Sequence, residues 1–247
     1  MQTTTVGIVI RERPIGEKDK VITILTKDIG VVEAIVRGVR NTKSRLLLGV
    51  SLFTYSEFVI NEGKNNIYIN DASEKHSFHS VSDDIEKMSL VFYLAELVKV
   101  LNPTGEESND FLRLFLNSLH FISNSERSLK LVKSVFELKA CEYIGLMPNI
   151  TSCSVCGLYE ADEFYFSPRN AELHCKDCRV SGDRKLNIKA LMAMRFILLN
   201  NIEKVFNFAI DDASMNLLSE AAEDYIKTQT SERFKTLDFY NSIIKGN

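Results

Sequence analysis

The sequence predicts an α+β protein, with an N-terminal five-stranded barrel followed by an all-α bundle that carries a small inserted cysteine element. Three observations predict this class. The first 80 residues are short runs rich in Val, Ile, Thr, Tyr and Phe. From about residue 81 the apolar residues recur every three or four positions instead. Four of the five cysteines then fall in two CxxC pairs, with helical patterns on either side.

The strand runs are "TTVGIVIRE", "KVITILTK", "GVVEAIVRG", "LFTYSEFVI" and "NIYINDA". β-branched and aromatic residues suit a pleated, half-buried surface. "KDIG" (27–30) and "NEGKNN" (61–66) supply turn residues between runs. Five strands in about 70 residues make a small barrel, and the OB-fold is the five-stranded barrel that binds oligonucleotides. Another small β-barrel satisfies the same pattern. Within this barrel, Phe53, Tyr55 and Phe58 are either base-stacking residues or core.

Helical patterning begins with "SDDIEKMSLVFYLAELVKVL", where Ser82 reads as the N-cap. Ile85, Met88, Phe92, Ala95 and Val98 form one apolar face. "NDFLRLFLNSLHFI" (109–122) and "SLKLVKSVFELKACEYIG" (128–145) continue it, and Gly145 and Pro148 stop the second. "NIKALMAMRFILLN" (187–200) and "SMNLLSEAAEDYIK" (214–227) follow the cysteines. The expected division is residues 1–80 as the barrel and 81–247 as the helical domain, with 150–182 inserted as the metal element. Cys141 lies on an apolar helix face and reads as a core residue. The stretch "LMAMRFILL" reads as helix core rather than as a docking groove.

Cys153 and Cys156 are two residues apart, as are Cys175 and Cys178, with eighteen residues between the pairs. This is the C-x2-C-x15–20-C-x2-C spacing of a zinc site. Each CxxC turn brings two thiolates to one ion. Four sulfurs leave no position open for water, whereas a catalytic zinc usually has three protein ligands. A deaminase needs a His/Cys-x-Glu motif and a Pro before its CxxC, and neither is present. The site therefore reads as one structural Zn2+, contributing on the order of 10 kcal/mol to local folding. Two alternatives remain: His174 replacing a cysteine, or a redox CxxC pair.

The formal net charge is −3, unevenly distributed. Residues 1–45 hold nine Lys/Arg against five Asp/Glu, a balance of +4 that leaves −7 for the rest. Arg37, Arg40, Lys43 and Arg45 crowd a predicted loop between strands. Such cations repel unless solvent or an anion compensates them. The loop is either simply solvated or a phosphate contact. No apolar run reaches the roughly 18 residues of a membrane helix. The opening "MQTTTVGIVIRERP" lacks a secretory pattern, so a cytoplasmic location is expected. The GxxxxGK[ST] and HExxH signatures are absent. "HSFH" (76–79) reads as exposed loop.

The stretch "GIVIRERPIGEKDKVITILTKDIGVVEAIVRGVRNTKSRL" resembles the RecO family of bacterial recombination mediators, most specifically in "RGVRNTKSRL". "ACEYIGLMPNITSCSVCG", the second CxxC and "ERFKTLDFY" extend the likeness over nearly the whole chain. The resemblance implies an N-terminal OB-fold, a helical domain and a zinc element. It implies a cytoplasmic, nucleoid-associated protein, not an enzyme, that binds single- and double-stranded DNA and anneals complementary strands. It implies work with RecR to load RecA onto DNA coated by single-stranded DNA-binding protein (SSB), and contact with the acidic, Phe-ending SSB tail. Arg37, Arg40, Lys43 and Arg45 match the family's basic loop; Arg11, Arg13, Lys18 and Lys20 match less closely. Cys153, Cys156, Cys175 and Cys178 match the zinc ligands. "SPRNAELHC" departs from the Gly-rich approach expected before the second pair. Two other classes compete: a zinc-dependent hydrolase or deaminase, and a zinc-ribbon adaptor that binds proteins and no DNA.

Overall fold

In the computed structural model the chain is described for residues 2–41, 43–64, 66–102 and 105–246. Strands β1 (Gln2–Ile15), β2 (Asp19–Thr26), β3 (Val31–Val36), β4 (Thr54–Glu62) and β5 (Ile67–Ser77) close into a barrel in the order β1-β2-β3-β5-β4. Closure depends on β1, which is long enough to pair with both β2 and β4. Its register slips between Val9 and Arg11, a bulge that bends the strand from one partner to the other. β3 and β5 meet in parallel at Ala34↔Ile67 and Ile35↔Tyr68.

Alternation decides what goes inside. Ile22 and Ile24, Val32, Ala34 and Val36, and Phe58 and Ile60 all point into one core. Gly7 sits where β1 presses on β2, and a Cβ there would lie 2.6 Å from the Leu25 carbonyl oxygen. After β3 the chain turns repeatedly, and Val39, Leu46 and Val50 drop into the same core. The basic loop is thus anchored at three apolar points.

A short 3-10 turn (His79–Asp83) leads into α1 (Ile85–Leu101). Ser82 lies inside that turn and does not cap the helix. Asp84 does, its carboxylate accepting from the backbone N–H of Glu86 and Lys87. It has the extended backbone a cap requires. The remaining helices are α2 (Asn109–Asn124), α3 (Leu129–Tyr143), α4 (Ile188–Leu199), α5 (Asp212–Thr230) and α6 (Lys235–Gly246). Ser128, Asn187 and Asp211 cap α3, α4 and α5. α6 was not anticipated from the sequence pattern; it buries only Leu237 and Tyr240.

Between α3 and α4 lies a second sheet of β6 (Asn149–Cys153), β7 (Glu163–Ser167), β8 (Glu172–His174) and β9 (Arg184–Asn187), in the order β6-β8-β7-β9. β7 and β8 form a hairpin through "SPRNAELHC", and Ala171 takes a positive φ (56°) in its turn. The chain divides into two compact units. The first is Met1–Ser123 with Thr236–Asn247, and the second is Asn124–Lys235. α6 returns to the first unit, where the Thr236 N–H donates to the Glu96 carboxylate at 3.1 Å. In the second unit, Lys133 is buried between Glu137 and Glu223, at 2.8 and 2.9 Å. No helix is long and apolar enough to cross a membrane among the described residues.

Candidate metal centre and nucleic-acid face

Cys153 ends β6, Cys156 follows one turn later, and Cys175 and Cys178 form a second turn directly after β8. The two turns face each other because β6 and β8 pair in parallel at Cys153↔Leu173. Cys153 accepts at its carbonyl from the Gly157 N–H at 2.9 Å, and Gly157 adopts φ +75° to make that turn. The Cys178 N–H closes the second turn onto the Cys175 carbonyl at 3.2 Å.

All four sulfurs lie within 4.8 Å of one another, and Cys156 Sγ is 3.7 Å from Cys175 Sγ. Tetrahedral zinc with bonds of about 2.3 Å would place its sulfurs about 3.8 Å apart, so the donor set fits such an ion. Burial raises the Cys153 thiol, but backbone N–H groups of Cys156, Cys175 and Val155 outweigh it and bring the pKa to about 6. Cys178 is pushed the other way, to about 12, chiefly by its bond to Cys175. One thiolate forms readily here, and further ones wait for a cation to balance them.

His174 is buried, with its Nδ1 2.7 Å from Asp183 Oδ2. Asp183 also accepts from the Val180 N–H at 2.9 Å. The histidine thus ties down the loop beyond the second cysteine turn, and the sulfur cluster contains the four cysteines without it. Cys141 is buried on α3, where burial raises its thiol to about 12. His76 belongs to β5 rather than to a loop, and both it and His79 are exposed.

The basic residues come from two places in the sequence and meet at one end of the barrel. The Arg40 N–H donates to the Lys18 carbonyl at 3.0 Å, and Arg40 Nη1 donates to the Gly16 carbonyl at 2.8 Å. The Gly38 N–H donates to Asp19 Oδ1 at 2.8 Å. These bonds dock the turn after β3, which carries Arg37, Arg40 and Lys43, onto the β1–β2 turn, with Arg40 against Lys18. Arg11 and Arg13 are exposed on β1. Among the described residues no carboxylate lies within 4 Å of Arg11, Arg13, Lys18 or Lys43. Lys20 differs, since its Nζ is 3.1 Å from Glu12 and half-buried. Arg45 is 79% exposed and only 3.9 Å from Asp71, a loose pair worth little.

Phe53 and Phe58 are fully buried, so they are core residues and not stacking surfaces. Phe58 fills the barrel, and Phe53 packs on Phe92 with ring centroids 5.5 Å apart. The aromatic that reasoning from sequence passed over is Tyr68. The Arg37 guanidinium lies 4.5 Å from its ring centroid. Tyr68 lies between Ile67 and Ile69, which pack toward the core.

Comparison with known proteins follows this geometry closely. The family described as "Recombination protein O N terminal" matches residues 1–78, and "Recombination protein O C terminal" matches residues 82–238. A DNA repair protein RecO of Alkaliphilus metalliredigens is 31% identical over 246 residues, covering 98% of this chain and 100% of its own. The DNA repair protein RecO of Acetivibrio thermocellus is 30% identical over 241 residues, covering 97% and 96% respectively. That of Caldanaerobacter subterraneus is 32% identical over 242 residues, covering 95% and 96%.

Proposed function

The chain belongs to the recombination protein O family, whose work is DNA repair and recombination, and from that premise we propose that it is a recombination mediator without bond-making chemistry. It binds single- and double-stranded DNA, anneals complementary strands and, with RecR, helps load RecA onto SSB-coated DNA. The observation that carries the reading is the docking of the turn after β3 onto the β1–β2 turn through Arg40. It gathers Arg37, Arg40, Lys43 and Lys18 on one rim, with Arg11, Arg13 and Arg45 elsewhere on the same barrel.

Each phosphate contact releases condensed counterions, so affinity falls with salt. About four to five contacts give a log–log slope of roughly −3 on single strands. Two complementary strands repel through their phosphates. A cationic rim that neutralises part of this charge lets them approach and pair.

The four-cysteine cluster we assign to one structural Zn2+, held by Cys153, Cys156, Cys175 and Cys178. It braces a small sheet and takes no part in strand handling. A groove of about 880 Å³ along α4, lined in part by Met192, Phe196, Leu199, Phe208 and Ile210, we assign to the SSB tail. Its apolar floor suits the terminal Phe. Arg195, held at the rim by the Ile150 and Thr151 carbonyls, has no acid partner among the described residues and suits the tail's carboxylates.

The deciding experiment follows annealing of complementary oligonucleotides coated with the cognate SSB. This protein should accelerate it, most strongly at low salt. Absence of acceleration, together with no salt-dependent oligonucleotide binding, would favour the adaptor reading instead.

A further inference from the structure

Across the outside of the barrel runs a row of side chains that the rim does not include. Strand registers align Arg13 on β1, Val21 on β2, Ile35 on β3, Tyr68 on β5 and Asn61 on β4. Their neighbours Ile22, Ala34, Ile69 and Ile60 pack in the interior, so the row faces outward. Beside it lies a groove of about 570 Å³ whose walls include Arg13, Ile15, Val21, Ile35, Glu62 and Lys64. Ile15 is 41% exposed there, and Tyr68 is half-buried. Arg37, two residues beyond Ile35 on the same side, covers the tyrosine ring. Glu33, also on this face, is occupied by Lys99 at 3.4 Å.

An apolar floor, one aromatic ring, and the cations Arg13 and Arg37 match what a single nucleic-acid strand presents. Bases need flat apolar faces, and phosphates need positive charge. Arg13 at the β1 end of the row and Arg37 over Tyr68 select a polyanion over an apolar peptide. We propose that Tyr68, with Arg37 over its ring, is the surface on which a nucleobase stacks when single-stranded DNA crosses the barrel. This rests on the DNA-binding reading above and adds a base-dependent contact to a phosphate-dependent one.

The chain has no tryptophan, so Tyr68→Trp places a single fluorescent reporter at the site. The full-length, metal-loaded protein is titrated with an oligo(dT) and with an abasic oligomer of equal length, binding being followed by anisotropy of a label on each oligomer. Oligo(dT) should quench the reporter, and the abasic oligomer should not. Tyr68→Leu should lose about tenfold in affinity for oligo(dT) and little for the abasic oligomer, while Tyr68→Phe should keep wild-type affinity. Should oligo(dT) bind with unchanged emission, and Tyr68→Leu bind it as well as wild type, stacking at Tyr68 is refuted while DNA binding stands. Loss of affinity in Tyr68→Phe, which keeps the ring, refutes it too, and serves if Tyr68→Leu does not fold. If neither oligomer binds the wild-type protein, the DNA-binding reading falls and this one with it.

Discussion

The barrel and the small sheet between α3 and α4 solve one problem in two ways. Both are sheets that must hide a hydrophobic face. The barrel does so by closing: β1 pairs on both sides, and residues from every strand fill the interior. The small sheet remains open. β8 has three residues, and β6 touches it only at Asn149↔Glu172 and Cys153↔Leu173. It buries Phe164, Phe166, Leu173 and Leu186, leaning on α5 through Phe166 against Tyr225. So few strand bonds call for a further tie, and the four sulfurs are placed to supply it. One sheet is held by apolar closure; the other gathers four cysteine sulfurs at its edge. The closed sheet can therefore spend its outer surface on charge.

The sharpest break in this comparison is metal removal. Chelation, or Cys153→Ser, should cost the small sheet on the order of 10 kcal/mol. Hydrogen exchange should show β6–β9 losing protection while β1–β5 keep theirs. Persistence of protection in β6–β9 would mean that packing on α5 suffices. Phe58→Ala is the reverse test, removing a ring from the barrel core at a cost of about 3–5 kcal/mol by denaturant unfolding. Zinc content should then stay at one per chain, and oligonucleotide affinity should fall.

Acid discriminates more gently. Burial raises the Glu223 carboxyl, but Lys133 outweighs it and holds the pKa at about 2. A depressed carboxyl contributes stability that is complete above its unfolded value of 4.5 and lost as pH falls through the folded one. The second unit should therefore loosen between about pH 4.5 and 2. Glu223→Gln should flatten that dependence and cost less than Phe58→Ala, since Glu137 still pairs with Lys133. An unchanged acid profile would rule out this pairing as its source. The smallest effect on stability belongs to the rim. Joint charge reversal of Arg37, Arg40 and Lys43 should leave the melting temperature nearly unchanged. It should make the salt slope on single strands shallower by about 2. An unaltered slope and affinity would move DNA off this loop.

Much of this was legible in local pattern. Short runs rich in Val, Ile, Thr, Tyr and Phe marked five strands, and three- to four-residue spacing marked five helices to within a few residues. The cysteine spacing singled out the four side chains whose sulfurs come together. What escaped was non-local. Ser82 and Asp84 are both competent caps by type, and only the backbone at Asp84 selects it. α6 carries Leu237, Phe239, Tyr240, Ile243 and Ile244, yet the fold buries only Leu237 and Tyr240.

By itself the sequence determined the barrel strands, five of the helices, the cysteine clip and the excess of positive charge near the N-terminus, since each is written within a few residues of its own position. Only the tertiary structure decided which aromatics face inward and which cations share a rim. Phe58 and Tyr68 have similar local surroundings, yet one fills the barrel and the other faces outward. Lys18 and Arg40 become neighbours through a bond between two turns. The physical reason is that strand register and barrel closure depend on pairing between distant segments, which no local periodicity encodes.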